Sequence, residues 1–263
     1  MIIDFHTHLF PDDVAEYAMK KLSGSSKVSN DCFPVQSELL QTMDVAGIDK
    51  SVVLNIATRE HQHKNILSFA QEISSDRLIS FGSVMPASES ALDYVSKIYD
   101  AGIKGLKFHP ALQRFKPEDK NNFPVYDLAR ALDLIVLFHA GWDPTYEDEL
   151  LCPPQSIIEV EKNFPGLKII AAHMGGLKLA NEVLEVLAGH DVYFDTAWTA
   201  EPWIDKPMME KLIIKHGSDK VLFGSDFPWN DPWRELMLIS CLNLPSEDRE
   251  LILGGNAERL LGL

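Results

Sequence analysis

With 263 residues, 46% of them hydrophobic, the chain can bury a large core and fits either two small domains or one α/β barrel of roughly 250 residues. Its net charge of -15, with acidic residues spread along the chain, argues against a nucleic-acid or anionic-membrane surface and points to a small-molecule protein. Three cysteines, Cys32, Cys152 and Cys241, show no C-x-x-C spacing, which speaks against a disulfide framework or a zinc knuckle and reads as buried or inert thiols.

The chain opens MIIDFHTHLF. No basic region precedes this apolar run and Asp4 interrupts it, so a signal peptide is not expected. No segment approaches the roughly 20 apolar residues of a membrane span, and a cytoplasmic location is the expectation. As a strand, the stretch puts Asp4, His6 and His8 on one face and Phe5 and Thr7 on the other. Two imidazoles then converge on one point, as a metal ion requires.

Seven more short apolar runs follow in order: KSVVLNIA, LISFGSVMP, GIKGLKFHP, LIVLFHAG, LKIIAAHMGG, DVYFDTAW and KVLFGSDFPW. Helical patterns lie between them, among them 34–47, 89–102 and 207–217, with glycines near their ends. Runs without clean alternation indicate strands covered on both faces, as in a parallel sheet. Eight strands alternating with helices, with no linker between them, predict a single TIM (β/α)8 barrel of the α/β class over residues 1–263. No G-x-G-x-x-G opens a helix after the first strand, which speaks against an open dinucleotide-binding sheet.

In such barrels the active site lies at the C-terminal ends of the strands. Those ends carry His6 and His8, Lys107 and His109, His139, His173 and Asp226. A lone histidine there is more often a hydrogen-bonded core residue than a ligand. Five of the nine histidines end predicted strands, however, which is more than core packing alone accounts for. His190 and His216 fall near helix C-termini, where a cation suits the helix dipole. His61 and His63, in REHQHKN, read as solvated, since side chains at i and i+2 of a helix diverge.

The ordered set DFHTH, FHAG, AHMGG and LFGSDFPW resembles the amidohydrolase superfamily, and most of all the branch that includes aminocarboxymuconate semialdehyde decarboxylase and related metal-dependent hydrolases. The resemblance runs over the whole chain, because the motifs fall on the strands in order. It implies that His6, His8, His139 and Asp226 ligate a divalent metal, expected to be zinc. Asp226 would also take the proton of the metal's water, and His173 would polarise the substrate or join in proton transfer. Residue chemistry agrees: three neutral imidazoles and a carboxylate leave a position open for water, whose pKa a metal lowers to roughly 7.

One ion is expected. Other branches hold two ions, bridged by a carboxylated lysine or a glutamate on the fourth strand, and Lys107 stands near that location. Carboxylated, it would let His139 and His173 bind a second ion; as an ammonium, it would anchor a substrate carboxylate, with His109 also facing the substrate. The missing strand-four glutamate separates the chain from the deoxyribonuclease-like branch that shares H-x-H.

All five tryptophans, Trp142 among them, follow the fifth, seventh or eighth strand. They either line a pocket for a flat or apolar substrate, or pack against helices or across a homodimer interface. Arg59 and Arg114, in loops after strands two and four, suit a carboxylate. Together with Lys107 they point to a small carboxylated substrate.

The leading expectation is a metal-dependent hydrolase acting on an amide, lactone or ester. The alternative is a metal-dependent nonoxidative decarboxylase of an aromatic or muconate-like acid, which uses the same ligands and differs in substrate pose. A silent barrel with a structural metal or a partner-binding rim would need only a closed tetrahedral shell, and the histidine and carboxylate set exceeds that.

Overall fold

The computed structural model describes residues 1–26, 33–200 and 202–263, so Cys32 lies outside the described residues. Eight strands occur in chain order: β1 (Ile3–Thr7), β2 (Lys50–Leu54), β3 (Leu78–Phe81), β4 (Gly105–Phe108), β5 (Ile135–Phe138), β6 (Lys168–Ala171), β7 (Tyr193–Asp195) and β8 (Val221–Leu222). They pair in parallel in two arcs, β1-β2-β3 and β4-β5-β6-β7-β8. Backbone hydrogen bonds cross both seams. Gly82 N and Lys107 N bond to Gly105 O and Gly82 O at 2.9 and 2.8 Å, while Phe5 N and His8 N bond to Phe223 O and Phe227 O at 2.8 and 2.7 Å. The fold is the expected (β/α)8 barrel. β8 is shorter than its apolar run; beyond Leu222 the backbone bonds to β1 through Phe223 O and Asp226 N, and Gly224 bonds the Thr196 hydroxyl just after β7.

Helices cover the strands on the outside. The predicted ones occur as Gln36–Ala46, Ala91–Asp100 and Lys206–His216, and Gly47 ends the first in the left-handed conformation, its N–H bonded to Met43 O. Inside, Ile3, Phe5, Val52, Leu54, Phe81, Ile135, Leu137, Ile170 and Leu222 form one apolar cluster, which Ala257, Leu260 and Leu261 of the last helix extend. This is the packed interior of a barrel, and it leaves only the strand C-termini for polar side chains.

β1 departs from strict alternation. Asp4 pairs with Ser51 but Thr7 with Val53, so β1 carries one extra residue between these pairs. A bulge of this kind re-aims side chains. It lets Phe5 join the inner cluster while His6 and His8 both reach the cavity above it, and Asp4 turns away to bond Ser225.

Several histidine readings change. His63 is buried, not solvated: its Nε2 accepts the Met85 N–H at 2.8 Å and its Nδ1 lies 3.2 Å from Ser90 Oγ. His216 stacks on Phe194 at 3.7 Å, and burial pushes its pKa down to about 4, so it serves as a neutral ring rather than a dipole-paired cation. His190 pairs with Glu161 at 2.6 Å. Cys152 is buried but Cys241 is exposed. Among the described residues no helix is long and apolar enough to cross a membrane.

Candidate metal centre

His6 and His8 are oriented from behind. The Nδ1 of His6 lies 2.8 Å from Asp195 Oδ2, and the Nδ1 of His8 lies 2.8 Å from Leu54 O. A carbonyl or carboxylate oxygen only accepts, so each ring carries its proton on Nδ1 and turns a bare Nε2 to the cavity. Both Nε2 atoms meet Asp226 Oδ1, at 3.4 and 3.3 Å. Burial, followed by the Lys107 charge, drives the His6 pKa well down, so the ring is neutral.

Three lone-pair donors thus converge without a proton of their own, which is the electrostatic signature of a cation site. Asp226 is held there by its N–H bond to His6 O at 2.8 Å, in a left-handed conformation with φ 68°. A non-glycine residue in that region is strained, and strain of this sort collects at functional sites.

His139 stands apart from this triad and belongs to a second group with His109 and Asp143. The His109 and His139 rings stack in parallel, 4.1 Å apart with 8° between planes. His139 Nδ1 lies 2.9 Å from His173 Nε2, and His173 Nδ1 lies 2.7 Å from Ala197 O. His173 is buried behind His6 and His139 and does not line the cavity.

Lys107 is fully buried, and its Nζ meets His6 Nε2 at 3.2 Å. Burial lowers its pKa to about 8, against the opposing charges of Asp195 and Asp226. With His109 it faces an open cavity whose other wall is apolar: Phe10, Ile56, Leu112, Trp198 and Trp229. Arg114 is not in this wall. It forms a two-pronged ion pair with Glu149 at 2.9 and 2.7 Å and lies over Tyr146. Trp142 also lies outside it, packed against Trp203 with Lys178 Nζ 3.1 Å from its ring centre. Arg59 is exposed on the rim.

Sequence reasoning missed Asp195 and Asp143. Asp195 ends β7 as Asp226 follows β8, and Asp143 lies four residues after His139, so a scan of strand-end carboxylates finds both.

Glu235, buried beneath the rim, accepts the N–H groups of Thr199 and Ala200 at 3.0 Å and the Asn230 amide at 2.8 Å. Burial pushes its pKa up from 4.5 to about 8, against the pull of those hydrogen bonds. The folded state therefore keeps a proton that the unfolded chain releases. This contribution to stability is full below pH 4.5 and is lost as pH rises through about 8. Between those values the melting stability of the protein is expected to fall by up to about 1.4 kcal/mol per pH unit from this group. Glu235→Gln should flatten that slope in thermal melts; an unchanged slope would assign it elsewhere.

A family model described as amidohydrolase matches residues 3–263. No curated protein matches the chain. Among solved structures it is similar to the 5-carboxyvanillate decarboxylase of Sphingomonas paucimobilis, at 15% identity and TM-score 0.76, covering 100% of this chain and 99% of that one. It is similar to a dihydroxybenzoic acid decarboxylase of Polaromonas sp. JS666 with bound manganese and the inhibitor 2-nitroresorcinol, at 15% identity and TM-score 0.74, covering 100% and 97%. An uncharacterised TIM-barrel protein of Bordetella bronchiseptica matches at 19% identity and TM-score 0.80, covering 99% and 98%. At such identities the likeness shows the fold.

Proposed function

The chain belongs to the amidohydrolase family, and on that premise we propose that it is a metal-dependent nonoxidative decarboxylase of a benzoate-type acid. The observation that carries this reading is one cavity in which a buried Lys107, meeting a histidine rather than a carboxylate, faces an apolar wall that includes two tryptophans. A cation there suits a substrate carboxylate, and the wall of Ile56, Leu112, Trp198 and Trp229 suits a flat ring. The decarboxylases of hydroxylated benzoates among its structural neighbours support this alternative over hydrolysis.

His6, His8 and Asp226 would hold a divalent ion, with manganese as eligible as zinc given the neighbour that carries it. Such an ion supplies positive charge for the oxygens of the bound acid. Asp195 and Leu54 O keep the two imidazoles aimed, and the apolar wall excludes water from the ring. Lys107 would fix the carboxylate. When the carbon–carboxylate bond breaks, its electron pair stays on the ring carbon, and one proton takes the place of carbon dioxide. Lys107, which faces the cavity, would give that proton to the ring carbon and take a replacement from solvent, while His173 lies behind the cavity wall.

The test is carbon dioxide release from carboxyl-labelled dihydroxybenzoates and 5-carboxyvanillate, using protein loaded with manganese or zinc. Labelled gas together with the matching phenol is expected. Turnover of a lactone or amide panel with no gas from any acid would sink the reading in favour of hydrolysis.

A further inference from the structure

We propose that Glu235 is the positioning residue of the aromatic wall: it ties the loop after β7 to the loop after β8, so that Trp198 and Trp229 stand on the cavity as one surface that favours flat rings. This deepens the decarboxylase reading and rests on it for the chemistry of the bound acid.

The first observation is that one buried oxygen holds both loops. Glu235 belongs to the helix Pro232–Cys241 and is fully buried. Its Oε1 accepts the Thr199 and Ala200 N–H groups, each at 3.0 Å, from the loop after β7, and the Asn230 amide at 2.8 Å from the loop after β8. Each loop's anchor adjoins a tryptophan of the cavity wall: Thr199 follows Trp198, and Asn230 follows Trp229. The Asn230 amide also reaches Ser225 O at 3.3 Å, and the Trp229 N–H bonds Asp226 O at 2.8 Å, so the second loop is closed on itself where Glu235 grips it.

The second observation is strain at the wall. Trp198 has φ 50°, in the left-handed region that a bulky side chain avoids, and such a conformation persists where the surroundings over-determine it. The next two residues do so. Their N–H groups go to Glu235, while Thr199 O and Ala200 O accept the N–H groups of Ile204 and Trp203 at 3.2 and 3.4 Å. Trp203 is thereby set behind Trp198, edge to face at 5.7 Å and 77°, with Trp142 behind it at 5.9 Å. Without the Glu235 acceptor two N–H groups lose their partner, and Trp198 loses what holds it in its strained conformation.

The third observation concerns the other oxygen. Glu235 Oε2 is buried and meets no hydrogen-bond partner among the described residues. With all three donors on Oε1, that oxygen acts as the carbonyl of a neutral acid whose hydrogen sits on Oε2, in keeping with the raised pKa. Glutamine is the isostere of that form, and it keeps the acceptor.

The test uses manganese-loaded protein and 2-nitroresorcinol, the inhibitor held by the Polaromonas neighbour, followed by quenching of tryptophan fluorescence, which needs no turnover. Glu235→Leu is expected to bind this probe about tenfold more weakly, the worth of a well-placed aromatic contact, and Glu235→Gln to recover affinity to within about threefold of wild type. Circular dichroism reads the wall itself. Tryptophans this close couple their transitions into a paired band, which should be lost in Trp203→Phe, reduced in Glu235→Leu and restored in Glu235→Gln. Wild-type affinity in a folded Glu235→Leu would make Glu235 a structural acid only and overturn the proposal, as would a wild type whose fluorescence the probe does not quench. Should Glu235→Leu not fold, Asn230→Ala decides: affinity weaker by about threefold supports the tie between the loops, and unchanged affinity overturns it. The gas-release assay judges the reaction separately. Probe binding that depends on Glu235, with no gas from any acid, would leave the wall standing and sink the decarboxylase reading alone; where gas is released, the KM of the acid should rise in Glu235→Leu by more than kcat falls.

Discussion

Replacing His6 with alanine is expected to remove the ion held by His6, His8 and Asp226 and to lower turnover by about a thousandfold, which corresponds to about 4 kcal/mol of transition-state stabilisation. The imidazole is one of three donors on that point, so no other residue restores the set. The substitution also leaves Asp195 Oδ2 and Lys107 Nζ without their shared partner in a buried site, a stability cost of about 1–3 kcal/mol. Elemental analysis beside a melting curve separates the two effects: the ion held by His6, His8 and Asp226 should be lost from a protein that still folds. Full metal content would refute the ligand assignment. Asp195→Asn should act in the same direction but more weakly, by roughly 10- to 100-fold in metal affinity, because it aims the imidazole without touching the ion.

Gly141→Ala should be among the most destabilising single-methyl additions in the chain, by roughly 2–6 kcal/mol from backbone strain and overpacking together. Gly141 has φ 88°, where a side chain is strained, and an added Cβ would lie 2.2 Å from Leu177 N and 2.5 Å from Leu177 O. These are backbone atoms that cannot rotate away. They belong to a tight crossing in which Leu177 N bonds Ala140 O at 2.9 Å and Trp142 N bonds Leu177 O at 3.0 Å. The same crossing sets the positions of Trp142 and of Asp143, which lines the cavity. Denaturant unfolding checks the magnitude, and a difference from wild type below about 0.5 kcal/mol would show that the loop yields more easily than its packing implies.

The strand ends of this chain were legible in its sequence because barrel strands are short, apolar on both faces and closed by a polar residue. That grammar alone placed His6, His8, His109, His139, His173 and Asp226 near one another before any contact was known. Neither the bulge in β1 nor the Asp195 contact behind His6 was legible in the same way. A bulge is set by how β2 pairs with β1, and Asp195 lies 189 residues from its partner. The rim residues show the same divide: Arg114 and Trp142 follow strands as substrate residues should, yet Glu149 and Trp203 occupy them instead.

By itself, then, the sequence determined the barrel, the rim that carries the chemistry and the residue types gathered there, since these follow from local periodicity and strand order. Only the tertiary structure decided how those residues divide. His6, His8 and Asp226 meet at one point, while His139 turns to His109 and Asp143. The reason is physical: a side chain's nitrogen points where its ring's hydrogen bonds hold it, and those partners come from neighbouring strands and loops that no local pattern names.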